Sequence, residues 1–127
     1  SSGWSPLDVL AHVSDVEAYD RNETRRCANG FGRRWRPFNE AQWEDALRLR
    51  PTETERALRD RSAAVSGETR AYLGEMTREL LALYIDHPEQ GVVQVGDRCE
   101  KIADHYRNHA RQIRGMAQAL SARAVGS

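Results

Sequence analysis

The stretch WSPLDVLAHVSDVEAYD, Trp4 to Asp20, decides how the rest of the chain is read. Ser5 is a good helix N-cap, Pro6 suits the first helical position, and Asp8 completes a Ser-x-x-Asp box in which each partner satisfies a backbone N–H that a helix start leaves open. Val9, Leu10, Val13 and Val16 then recur at helical spacing, so a helix is expected to run to about Ala28, where Asn29-Gly30 stops it. Trp4, just ahead of the cap, is placed to pack back on the first turn as a hydrophobic staple.

The same reading extends outward. Gly30 to Glu40 reads as a loop, with Pro37 and the basic-aromatic run Arg33-Arg34-Trp35-Arg36, and a short helix is expected over Glu40–Leu49. Pro51-Thr52 opens a further helix, with Thr52 as N-cap and Glu55 three residues on. Its apolar face is Leu58, Val65, Tyr72, Met76, Leu80 and Leu83, with Gly67 and Gly74 as soft points. The loop DHPEQG, Asp86 to Gly91, ends it. A last helix is expected from Val95 to Ala124, on a stripe of Cys99, Ile102, Tyr106, His109, Ile113, Met116 and Leu120 that steps by three or four throughout. No internal repeat and no convincing strand interrupts this pattern. The expected fold is all-α, an up-down-type helical bundle, in a single domain over residues 1–127.

Composition narrows the function classes. Lys+Arg and Asp+Glu both number 19, and the zero net charge removes the long-range attraction that draws chains to nucleic acid or anionic membrane. No apolar run approaches the roughly 18 residues of a spanning helix. Two cysteines, Cys27 and Cys99, are too few for a disulfide framework and form no Cys-x-x-Cys spacing, which points to a reducing, cytoplasmic setting. Ala, Arg, Glu and Leu dominate, as suits helices.

The residues that carry chemistry are histidines. His105 and His109, in HYRNHARQI, are an i, i+4 pair, so both rings project from one helix face and can share one ion at roughly 2.0–2.1 Å for zinc. A protease of the His-Glu-x-x-His kind needs glutamate after the first histidine, and here that residue is Tyr106. His12 borders the apolar stripe of the first helix, and side-by-side packing of first and last helices would let His12, His105 and His109 converge. His87, before Pro88, reads as an exposed loop residue. Against this stands the plainer reading of core-edge histidines that only complete polar contacts.

The segments W-S-P-L-D-V-L-A-H-V and H-Y-R-N-H-A-R-Q-I resemble the DinB/YfiT-like family of four-helix-bundle metal proteins, and Gly91-x-x-x-x-Gly96-Asp97 is similar to its lead-in to the last helix. The resemblance implies a divalent-metal site of His12, His105 and His109, with zinc as the default ion and nickel, iron(II) or manganese as alternatives. It implies a metal-dependent S-transferase or isomerase in which a low-molecular-weight thiol (bacillithiol, mycothiol or glutathione) attacks a small electrophile. Family members carry a further long helix ahead of the Trp-Ser motif, whereas three residues precede Trp4 here. That helix's place would be empty, or filled by Glu40–Leu49 or a partner chain, and an open apolar flank favours a homodimer.

Around such a site, Arg33, Arg34 and Arg36 are candidates to hold the thiol's carboxylates, against the plainer role of a solvated basic loop with Trp35 on the core. Asp8 either orients His12 or, as expected, only caps the first turn. Tyr106 either lines a cavity or packs in the core, and Cys99 is expected to be an inert core thiol. The alternative function is a non-catalytic, stress-associated metal-binding helical protein. A helical interaction module or nucleic-acid binder using R-R-W-R is disfavoured by the charge balance.

Overall fold

The computed structural model describes residues 3–30, 34–49 and 53–126. The chain is mostly helical, in the order α1 Pro6–Ala28, α2 Glu40–Leu49, α3 Glu55–Gly74, α4 Arg78–Leu81, β1 Tyr84–His87, β2 Gly91–Gln94 and α5 Val95–Gly126. Among the described residues no helix is long and apolar enough to cross a membrane.

Local chemistry accounts for most of the boundaries. At the start of α1 the Ser5 hydroxyl accepts from the Asp8 N–H at 3.1 Å, and the Asp8 carboxylate accepts from the Ser5 N–H at 2.9 Å. The helix ends at Ala28, and Gly30 turns the chain away with φ +90°, which side chains disfavour. Asn39 caps α2 by accepting from the Gln42 N–H. The Thr52 cap expected for α3 lies outside the described residues, and in the structure Thr54 fills that role, its hydroxyl accepting from the Ala57 N–H.

Two expectations are corrected here. The helix expected to continue past Gly74 breaks there, and after a turn the Thr77-capped α4 follows. Residues 84–94, expected to be strand-free, form an antiparallel hairpin with Ile85 opposite Val93 and Gly91 at φ +76°. Each strand has only four residues, and β1 alternates exposed and buried while β2 does not, so the pair gives the sequence too short a period to stand out. The hairpin is held by position: Ile85 is fully buried, Trp35 N–H donates to the Asp86 carbonyl, and Val95 N–H donates to the Leu83 carbonyl.

Helix order also departs from simple up-down alternation. Ser14 meets Ser62 and Arg21 meets Thr69, so numbering rises together along α1 and α3 and the two run parallel. The crossover 29–54, carrying α2, makes that connection. His109 meets Glu17 while Arg98 faces Asp20, so α5 runs antiparallel to α1.

The core has three layers along these helices. At one end Leu10, Ala11, Trp43 and Leu58 form an apolar cluster, joined by Trp4, Phe38 and Ile113. At the other, Cys27, Trp35, Tyr72, Ile85, Val95 and Cys99 form a second. Between them the buried residues of α1 and α3 are polar: Ser14, Glu17, Arg21, Thr24, Ser62 and Thr69. The apolar stripe expected on α1 is therefore only partly the buried one. Leu10 is 2% exposed, but Val9 is 36% exposed and Val13 and Val16 are half-buried. On α5 the expected stripe holds at Cys99, Ile102 and His109, with Tyr106 and Ile113 half-buried. The side chains of Met116 and Leu120 lie outside the described residues.

Candidate functional site

The polar middle layer is the candidate site. Glu17 and His109 are both fully buried, and Glu17 Oε1 lies 3.1 Å from His109 Nδ1. Ser66 Oγ is 3.2 Å from the same ring nitrogen, and Ser14 Oγ is 3.1 Å from Nε2. Ser14 in turn donates to the Leu10 carbonyl and meets Ser62 Oγ at 2.6 Å. On the far side, Thr69 donates to Glu17 Oε2 at 2.9 Å, and Arg21 donates to Thr69 Oγ1 at 2.8 Å. Arg21 also donates to the Val65 carbonyl and Glu68, so its buried charge is fully engaged. A continuous buried relay thus runs from Arg21 through Thr69, Glu17 and His109 to Ser14 and Ser62, and each member satisfies the next.

Serine at Nε2 and a carboxylate at Nδ1 is the connectivity of a Ser–His–acid triad. Ser14 is fully buried and its proton is committed to a helix carbonyl, so no substrate carbonyl can approach it. Closed to solvent, the arrangement does not present Ser14 as a nucleophile.

The three histidines expected to share an ion are divided between two places. His12 and Ser14 are two residues apart, about 200° around the helix, so with Ser14 turned inward His12 faces the other way. There His12 Nε2 pairs with Glu40 Oε1 at 2.5 Å, and Trp4, Trp43 and Phe38 surround its ring with centroids 4.9, 4.9 and 5.8 Å away. The expected convergence of His12 with His109 is therefore corrected. Its place between Leu10 and Val13 puts His12 at the edge of the apolar stripe, but the face that α1 buries carries Ser14, Glu17 and Arg21, which leaves His12 on the other side. His105 does lie one turn before His109 on α5, and its Nδ1 is closed to solvent with no hydrogen-bond partner. Among the described residues no group of three or more His, Cys, Asp or Glu side chains is placed to hold a metal ion.

Asp20, one turn beyond Glu17, faces the same seam. Burial raises its carboxyl above the usual range, against the pull of Arg98, His105 and Lys101.

The other expectations resolve as follows. Asp8 caps the first turn, as expected. Arg33 lies outside the described residues. Arg34 pairs with Asp86 at 3.1 Å, and Arg36 with Arg26 grips the buried Glu23, so those two cations serve the loop's attachment. Trp35 packs in the core at 4% exposure. His87 is not an exposed loop residue: it is buried on β1, its Nδ1 accepts from the N–H groups of Glu89 and Gln90, and its ring stacks on Trp35. Cys27 and Cys99 are buried, neither is in a disulfide, and burial pushes both thiols up, which suits inert core residues.

Sequence reasoning missed Glu17, Ser14, Ser62, Ser66, Thr69 and Arg21. A signal existed: Ser14, Glu17, Arg21 and Thr24 step by three or four, the spacing of one helix face. No family model, no curated protein and no solved structure matches the chain.

Proposed function

We propose that the chain is a divalent-metal-binding helical protein of the DinB/YfiT-like kind, in which binding an ion would draw Glu17, His105 and His109 into one ligand set in place of the three histidines; as they stand among the described residues, these side chains do not form one. The observation that carries this is the fully buried contact of Glu17 with His109, beside a buried His105 Nδ1 that has no partner. Two imidazoles and a carboxylate suit zinc, nickel, iron(II) or manganese. When bound, such an ion supplies Lewis acidity and lowers the pKa of a bound water or thiol.

The chain's own residues prepare the ligands. Thr69, held by Arg21, fixes the Glu17 carboxylate, and Ser14 with Ser62 fixes the far nitrogen of His109. This outer set of contacts orients ligand side chains as second partners do in metal centres generally. The finer reading is a thiol-dependent S-transferase or isomerase acting on a small electrophile. In it the bundle is the four-helix DinB-like one, with a partner copy in the fourth place. The complete burial of Glu17 and His109 favours a second reading, a non-catalytic metal-binding protein.

Metal analysis of wild type beside single variants tests the ligand set. Wild type and His12→Ala should carry one ion per chain and gain thermal stability from added zinc or nickel, whereas Glu17→Gln and His109→Ala should lose both. A wild type with no stoichiometric metal and no thermal gain would sink the proposal. Conjugation of glutathione, mycothiol or bacillithiol to a generic electrophile then separates the two readings: turnover by metal-loaded protein supports the transferase, and its absence the binding protein.

A further inference from the structure

Among the described residues two buried arginines, Arg21 and Arg98, have very different surroundings. Arg21 spends its donors on Val65, Thr69 and Glu68. Arg98, near the start of α5, has 7% of its side chain accessible, yet among the described residues it makes no hydrogen bond. Its Nε is closed to solvent and unpartnered. The carboxylate paired with it, Asp20 Oδ2, is 4.0 Å away, beyond hydrogen-bond range. A guanidinium keeps its charge at any physiological pH and carries five N–H donors in a fixed plane, so leaving such a group buried without acceptors is costly. Buried charges are as a rule paired and hydrogen-bonded, and this one is paired without a hydrogen bond.

What surrounds it is unbalanced in one direction. Lys101 and His105 follow Arg98 at three and seven positions, on the same face of α5, and all three act on the single carboxylate of Asp20. His105 contributes a second buried nitrogen with no partner. One face of the Arg98 guanidinium is covered, lying 4.2 Å over the Trp35 ring, which leaves the donors in its plane to meet a partner at its edge. Asp20, 23% exposed, marks the side from which solvent reaches the group.

We infer that Arg98, with Lys101 beside it, is a binding site for a small oxyanion, the carboxylate or phosphate group of a small molecule, whose oxygens take the N–H bonds that Asp20 is too distant to accept. A guanidinium stacked on an aromatic ring keeps its donors in one plane, the geometry that grips such groups bidentately. The site needs no metal and neither Glu17 nor His109, and it shares with the proposed function only its neighbour His105.

The test uses the whole chain freed of metal with a chelator, titrated with inorganic phosphate, acetate and succinate against chloride at equal ionic strength. Thermal unfolding and the amide-region NMR signal of the Arg98 Nε–H are followed. One oxyanion per chain should bind, raise the melting temperature and shift the Nε–H resonance. Tighter binding of phosphate than of the carboxylates assigns a phosphoryl group, and the reverse assigns a carboxylate. Arg98→Met, which keeps length and loses the charge, should weaken binding about tenfold or more, and Arg48→Met, which removes an exposed arginine from α2, should leave it unchanged. Should Arg98→Met fail to fold, the Nε–H shift in the wild type and weaker binding by Arg98→Lys carry the comparison. If no oxyanion shifts the resonance or the melting temperature beyond chloride, or if the Arg98 variants bind as wild type does, the inference is overturned and Arg98 is only a stacking partner of Trp35.

Discussion

Glu17 Oε1 and His109 Nδ1 lie 3.1 Å apart, 92 residues distant in the chain, with neither side chain open to solvent. The pair joins the first and last long helices at mid-height, and α3 closes over it through Ser62, Ser66 and Thr69. A buried pair of this kind adds little net stability over well-packed apolar residues, yet loss of one member leaves the other stranded.

Removal of one partner should therefore be far costlier than removal of both. His109→Ala is expected to destabilise the chain by about 3–5 kcal/mol. Glu17→Met combined with His109→Leu should cost at least about 2 kcal/mol less than the sum of the two single changes. Urea unfolding of wild type, Glu17→Met, His109→Leu and the double variant measures this coupling. Strictly additive costs would show that the two residues do not act as a pair.

Acid should attack a different contact. Glu23 is 2% exposed and receives Arg26 Nη2–H at 2.7 Å, the Arg36 N–H at 2.6 Å and Arg36 Nη2–H at 2.9 Å. Burial alone would raise its carboxyl, but the bonds from Arg26 and Arg36 outweigh it and hold it down at about 2. A folded value below the unfolded one means the contribution is whole above about pH 4.5 and is lost as pH falls toward 2. Its size is on the order of 2 kcal/mol once solvent screening on the exposed Arg36 side is allowed for. Urea unfolding at pH 7, 4 and 2.5 should show wild type losing that increment while Glu23→Gln, weaker at neutral pH, does not. Parallel curves for the two proteins would refute the assignment.

Two glycines give opposite expectations for the same substitution. Gly67 lies inside α3 with nothing within 4 Å of where a Cβ would stand, so Gly67→Ala should stabilise by about 0.5–1 kcal/mol through lost freedom of the unfolded chain. At Gly96 a Cβ would stand 3.2 Å from the Leu81 carbonyl oxygen, and that neighbour is backbone. Gly96→Ala should therefore destabilise, by displacing α4 from the start of α5. Thermal unfolding of the two variants checks both signs at once.

Much of the helical framework was legible because its signals are local. The Ser5–Asp8 box, Pro6 and the Asn29-Gly30 stop bracket α1 within single turns, and Val95 with the Cys99–Ile102–His109 stripe marks α5. Thr54 in place of Thr52, and the break at Gly74, are shifts of a kind that propensity alone does not resolve. The hairpin at 84–94 was not legible, since four-residue strands are too short for a period to stand out. Nor was the parallel course of α1 and α3, because a crossover of that length permits either direction.

The candidate site was half legible. His105 and His109 share a face by i, i+4 arithmetic, which holds in any helix. Apolar Leu10 and Val13 beside His12, together with the family resemblance, point it inward. By itself the sequence determined where the long helices lie, how they are capped and that two histidines stand together, since those follow from contacts within a turn or two. Only the tertiary structure decided that Ser14, Glu17, Arg21 and Thr24 line the inside of α1 while His12 turns out to Glu40. Polar groups enter a core only where distant partners satisfy them, and those partners, on α3 and α5, are brought up by the fold.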